Sequence, residues 1–191
     1  MNRVTVFLFM FVDVSQDCIL CNFTLTHGMQ SCDTFIKTIM QTFPNLASLK
    51  AQIGQEIGIT PYMTVTQEMI NDFAKATQDF QWIHVDIEMA KQFSPFKTPV
   101  AHGFLTLSLA PKFMADLFTV ESVKMGVNYG ANKIRFTSAV PSGSQVRMRA
   151  SLMEAEDAKP SGLKITMNCI FEIEGQEKPA CVAELISMLY E

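Results

Sequence analysis

The spacing of apolar residues changes along this chain, and the changes mark its elements. From Gln145 to Leu152, Val146, Met148, Ala150 and Leu152 share one face while Arg147, Arg149 and Ser151 take the other. From Leu163 to Ile173, Leu163, Ile165, Met167, Cys169, Phe171 and Ile173 alternate with Lys164, Thr166, Asn168 and Glu172. A period of two predicts half-buried antiparallel strands. Val123 to Thr137 and Ala180 to Tyr190 read as further strands. Turns are expected at Pro141-Ser142-Gly143, at Lys159-Pro160-Ser161-Gly162 and from Gly175 to Pro179.

Thr64 to Thr77 reads instead as a helix. Ile70, Phe73, Ala74 and Thr77 recur at helical spacing, Thr66 is placed to cap it, and Glu68 falls in the first turn, where the helix dipole favours an anion. Gln78 to Pro99 is irregular, with one short helix expected near Ile87 to Lys91 and stopped by Pro95 and Pro99. Gly103 to Phe118 is apolar on nearly every side, the signature of a buried helix. Pro111 lacks an amide donor and crowds the preceding turn, which predicts a kink near Leu107 to Ala110. The expected architecture is α+β: one antiparallel sheet whose apolar face wraps a long buried central helix.

The orderly pattern begins near Leu49. Residues 49–191 read as one domain and residues 1–48 as an N-terminal extension. The apolar run from Val4 to Val12 is far short of the roughly 20 residues that span a bilayer. It resembles the start of a signal peptide, but Asp13 and Asp17 follow at once and no small-residue cleavage site appears. The five cysteines are odd in number, which argues for reduced thiols and a cytoplasmic location over a secreted disulfide scaffold. Cys18, Cys21, His27 and Cys32 suggest a zinc cluster, but a lone C-x-x-C without a second pair is a weak match, and no metal is expected. Cys169 and Cys181 read as core residues.

Composition narrows the function classes. Fifteen Lys and Arg against 19 Asp and Glu give a net charge of −4, so no basic field is present to hold a nucleic acid. With 48% apolar and 18% charged residues, the chain has enough apolar surface for a core and for a subunit interface.

The chemistry-bearing stretch is Asp79 to Asp86. A carboxylate at Asp79 and an imidazole at His84, five residues apart across a turn, can converge on one water. Histidine works as acid or base near neutrality. Further along, Ala101-His102-Gly103 opens the apolar helix. The first amides of a helix lack internal partners and favour negative charge, and glycine allows close approach. Gly103 beside an Asp/His pair is therefore a candidate oxyanion site. Each piece has an ordinary structural alternative: Asp79 as a helix end, His84 as a loop histidine, Gly103 as a tight turn.

Four ordered segments carry a resemblance. Ile53 to Gly58, Asp79 to Asp86, Ala101 to Ser108 and Tyr129 to Phe136 resemble the MaoC-like dehydratase family, and its NodN-like branch in particular. The resemblance covers residues 49–191. It implies a hot-dog fold, dimerisation, and (R)-specific hydration of enoyl-CoA thioesters. It places the family's catalytic pair on Asp79 and His84 and its oxyanion glycine on Gly103. Many family hydratases carry Asn-Pro between the catalytic residues; this chain has Gln81-Trp82. Some also carry a pocket serine where this chain has Pro111.

Further substrate contacts are expected from Trp82, as a pocket or interface wall, and from Asn132 and Arg135, beside Lys133. These last could meet coenzyme A phosphates or form a solvated strand face. His102 is expected to shape the helix entrance, and Arg147 and Arg149 to be surface charges. The resemblance implies no metal or redox cofactor, with coenzyme A entering as part of the acyl-CoA substrate, while the charge balance and the short apolar run argue against a nucleic-acid or membrane partner. The expected assembly is a homodimer. A hot-dog thioesterase and a non-catalytic acyl-thioester-binding protein are the alternative functions.

Overall fold

The computed structural model describes residues 40–191. The signal-peptide reading and the Cys18, Cys21, His27 and Cys32 cluster lie outside the described residues. The described chain opens with a short strand, β1 (Gln41–Phe43), and a one-turn helix, α1 (Leu46–Lys50). Asn45 caps α1 by accepting from the Ser48 amide at 2.9 Å, and Ser48 Oγ accepts from the Asn45 amide in return. Phe43, Leu46 and Leu49 are buried in the main core, so α1 spans the boundary expected at residue 48.

Short strands β2 (Glu56–Ile59) and β3 (Met63–Thr64) lead into α2 (Gln67–Thr77), whose N-cap is Thr66 as expected. Thr66 Oγ1 accepts from the Met69 amide at 3.2 Å. Ile70 and Ala74 are buried, but Thr77, expected on the same face, is exposed in the last turn. Two further helices, α3 (Trp82–Val85) and α4 (Ile87–Phe93), precede the central pair, α5 (Gly103–Ser108) and α6 (Ala110–Leu117). The chain closes with strands β4 (Phe118–Val120), β5 (Met125–Phe136), β6 (Gln145–Ala158), β7 (Gly162–Ile173) and β8 (Cys181–Tyr190).

The main sheet runs β2-β6-β7-β8-β5, all antiparallel, with β3 also pairing β6; β1 and β4 form a separate parallel pair. Met148 opposes Phe171, Ala150 opposes Cys169, and Leu152 opposes Met167. All six face the core, and a one-residue slip would turn them to solvent. On the opposite face Glu172 accepts from Arg147 at 2.6 Å and Arg149 at 3.2 Å, so both arginines lie on the sheet's outer surface as expected. Cys169 and Cys181 are buried, and burial pushes their thiols up to about 12 and about 11.

The central helix breaks at Leu109, inside the span where the kink is expected. Pro111 sits in the first turn of α6, and without its amide the Leu107 carbonyl loses its helical donor. Phe113 is fully buried and packs on Phe171 with ring centroids 6.2 Å apart. The expectation of burial on all sides needs correction. Leu105, Leu109, Phe113 and Leu117 are buried, but Phe104, Ser108, Pro111, Lys112 and Ala115 form an exposed stripe. One sheet covers only one side of a helix. The arrangement is a hot-dog fold. Among the described residues, no helix is long and apolar enough to cross a membrane.

Candidate active site

The site is built where α2 ends. Gln78 takes a left-handed conformation (φ 61°, ψ 22°), turning the chain out of the helix, and its side chain donates to the Lys75 carbonyl at 2.7 Å. Asp79 follows directly, with its side chain 54% exposed. The Asp79 carboxylate accepts from the Gln81 amide at 3.4 Å. His84 lies on α3, a single helical turn where an irregular loop was expected. Gln67 of α2 holds that turn by donating to the His84 carbonyl at 2.8 Å.

The His84 ring is 8% exposed. Its Nδ1 lies 2.6 Å from the Val100 carbonyl oxygen. A carbonyl only accepts, so Nδ1 carries the proton and Nε2 presents a lone pair. Val100 is fixed in turn, because its amide donates to the Ile83 carbonyl at 3.0 Å. Burial lowers the His84 pKa from its ordinary value; the Val100 hydrogen bond opposes this, His102 lowers it further, and Asp79 raises it. The net result favours a neutral imidazole.

His102 enters this site as a third group. It is 3% exposed and its ring stacks on His84, with centroids 3.8 Å apart and planes at 28°. Its Nε2 donates to the Asp79 carbonyl oxygen at 3.0 Å and lies 3.9 Å from an Asp79 carboxylate oxygen. Asp79, His84 and His102 each offer a ligand atom within 4.8 Å of the others. Each ring has one nitrogen committed to a carbonyl oxygen, His84 Nδ1 and His102 Nε2, and one left over. The cluster suits proton handling.

Gly103, the first residue of α5, follows His102. A Cβ on Gly103 would come within 2.9 Å of Phe136 Cγ, so the ring at the end of β5 lies directly on the glycine. Beside it opens a cavity of about 620 Å³ lined by Phe96, Ala101, Thr106, Phe136 and Val140. Gly103 lines this cavity, whereas Asp79 and His84 stand outside it. A second hollow, of about 480 Å³, separates Leu107, Ser108 and Pro111 from Tyr129 to Ala131 on β5.

The fold therefore gathers Asp79, His84 and Gly103 around His102. Trp82 is half-buried on α3, one helical turn with His84, and its carbonyl accepts from the Asp86 amide at 3.0 Å. Asn132 and Arg135 stand apart on β5. Asn132 falls in the register shift between Ala131 and Ile134, exposed. Arg135 donates to the neighbouring Ile134 carbonyl at 2.8 Å, and among the described residues it forms no ion pair. Lys133 is engaged by Glu184 at 2.8 Å. Sequence reasoning missed the contacts of His102 with both Asp79 and His84; its position one residue before Gly103 was the available signal.

Known proteins similar to this chain identify its family. Residues 48–169 match the MaoC like domain. The chain is 48% identical over 147 residues to 3-hydroxyacyl-thioester dehydratase Z of Mycobacterium tuberculosis, covering 77% of this chain and 97% of that protein. It is 41% identical over 146 residues to nodulation protein N of Rhizobium leguminosarum, covering 76% and 91%. The solved structure of a monoamine oxidase regulatory protein from Archaeoglobus fulgius superposes with a TM-score of 0.65 at 26% identity, covering 80% of this chain and 99% of that one. With the family model matching residues 48–169 and relatives 41–48% identical over three quarters of its length, the chain belongs to the MaoC-like dehydratase family.

Proposed function

We propose that this protein adds water to trans-2-enoyl thioesters of coenzyme A, giving (R)-3-hydroxyacyl thioesters, and catalyses the reverse dehydration. The observation that carries the reading is the free Nε2 lone pair of His84, set by the Val100 carbonyl and placed beside the Asp79 carboxylate. A dehydratase of 3-hydroxyacyl thioesters among the relatives supports the substrate class.

In this mechanism a water held by Asp79 and His84 attacks the β-carbon. The pair takes one proton from the water, and a proton is delivered to the α-carbon, so the addition balances without any oxidant. Negative charge developing on the thioester oxygen is met by the Gly103 amide and the first turn of α5. A donor of this kind contributes about 3–4 kcal/mol of transition-state stabilisation. Trp82 would wall the pocket, and Asn132 and Arg135 would meet the phosphates of coenzyme A. Arg135 has its guanidinium uncommitted to any acidic partner among the described residues, which favours that role.

The same reading takes the protein as a homodimer acting in the cytoplasm. Among the described residues β5 pairs only with β8 and is exposed along nearly its whole length, and Tyr129 and Phe136 on it and Phe104 beside it are exposed aromatic residues. An uncovered edge and apolar stripe are what a second copy would cover. The test is to incubate the protein with crotonyl-CoA while following enoyl absorbance and free thiol. Hydration consumes the enoyl signal with the thiol silent. Thiol release would mark a thioesterase, and binding without either change would mark a non-catalytic thioester-binding protein.

A further inference from the structure

We infer that His102 is a positioning residue that mounts both members of the Asp79–His84 pair, an inference that rests on the hydratase reading. One ring makes two contacts. Its face stacks on His84 at 3.8 Å, restraining the plane in which the Nε2 lone pair points. Its Nε2–H donates to the Asp79 carbonyl at 3.0 Å, pinning the main chain from which the carboxylate projects. The Asp79 side chain is over half exposed, and its carboxylate accepts, among the described residues, one long hydrogen bond of 3.4 Å from the Gln81 amide. The His102 bond therefore carries much of the restraint on that turn.

Two features show that His102 serves the site more than the fold. It occupies the N-cap of α5, where Ser, Thr, Asp or Asn would satisfy a free amide, yet its side chain makes no capping bond. With Nε2 protonated, Nδ1 is a bare lone pair, buried, and no donor among the described residues reaches it. A buried polar atom left unpaired destabilises the folded state, and an apolar ring of similar size would avoid that penalty. Phe73 already packs against this ring at 5.0 Å, so an aromatic side chain fits the surroundings. The position retains a histidine at the expense of stability. Its backbone also continues into Gly103, so His102 ties the acid–base pair to the proposed oxyanion donor.

The test uses the full chain, H102F and H102Q. H102F keeps an aromatic ring against His84 and loses the donor to Asp79. H102Q keeps an amide donor and loses the stack. Misplacing a catalytic group by about 1 Å costs roughly 100-fold in rate, so H102F should lower kcat by about that factor with KM nearly unchanged. H102Q should recover about tenfold of the loss, by the same reasoning. H102F should melt no lower than the native protein. A lower melting temperature with unchanged kcat would make His102 a packing residue and overturn the proposal, as would wild-type kcat in both variants. Nitrogen-15 spectra of the imidazoles give a readout independent of turnover. They should find His84 protonated at Nδ1 and His102 at Nε2. His102 protonated at Nδ1 alone would overturn the mounting role directly. If the native protein fails to hydrate any enoyl thioester, the hydratase reading falls, and the tautomers still decide whether the mount exists.

Discussion

Gly103→Ala is the perturbation whose consequence the structure defines most closely. A Cβ built on Gly103 would lie 2.9 Å from Phe136 Cγ and 3.0 Å from both Cδ atoms. Carbon atoms rest at about 3.5–4.0 Å, so the ring must retreat by roughly 0.5–1 Å. Overpacking of this kind typically costs about 1–3 kcal/mol. Phe136 is 43% exposed and can swing toward solvent, which puts the expected stability loss near the low end, about 1 kcal/mol. That corresponds to a fall in melting temperature of roughly 2–4 °C. The effect on turnover should be far larger. The displaced ring moves within the cavity that Gly103 lines. Alanine keeps the amide proposed as oxyanion donor but sets a Cβ beside it and shifts the backbone, and a displacement of about 1 Å at a reacting group costs roughly 100-fold in rate. The assay is kcat and melting temperature for G103A, F136A and the double variant. Removing the ring relieves the clash, so the double variant should recover the melting loss of G103A and part of its kcat. If G103A keeps native turnover, the open approach that a glycine gives at the oxyanion amide is not needed for the reaction. If F136A fails to relieve G103A, the contact with the ring is not what excludes a side chain there.

Four further outcomes are expected. The His84 pKa is lowered chiefly by burial, so the acid limb of kcat/KM should have its half-point below 6.5; a half-point above that value would contradict the neutral buried imidazole. By the same linkage the unfolded chain binds the His84 proton first as pH falls, so folding stability should decline through the range just below 6.5 and level off beneath the folded pKa, a slope that His84→Asn removes in urea titrations. Gln78→Gly relieves a left-handed non-glycine residue and should raise stability by about 1 kcal/mol in the same titrations. A chain beginning at Met40 keeps β1 and α1 and should fold and turn over like the full chain, whereas one beginning at Leu49 exposes the sites of buried Phe43 and Leu46, each worth about 1.5–3 kcal/mol, and should melt markedly lower by calorimetry.

The parts of this fold legible in the sequence are those set by local periodicity and local chemistry. Val146 to Leu152 and Leu163 to Ile173 alternate because each strand has one face on the core, and the register Met148 to Phe171 follows that pattern. Thr66 caps α2, and Pro111 breaks the central helix, through bonds within one or two turns. What the sequence hid depends on distant neighbours. The exposed stripe through Phe104 and Ser108 reflects how much of a helix one sheet can cover, which apolar content alone does not reveal. The pairing of Gln41 to Phe43 with Phe118 to Val120 is a contact across 77 positions. At the site, the spacing of Asp79 and His84 was readable because both lie on one turn. His102 was not readable as their partner, since it reaches them over 23 and 18 positions through packing of α5 against the α2–α3 corner.

The most direct test of the central claim is the fate of crotonyl-CoA with the native protein, D79A and H84A, with the product resolved by chiral chromatography. The account predicts loss of enoyl absorbance without thiol release, (R)-3-hydroxybutyryl-CoA as the product, and a fall of at least about 100-fold in each variant, the usual scale for removing an acid–base group. Release of free thiol, an (S) product, or native turnover in both variants would contradict it.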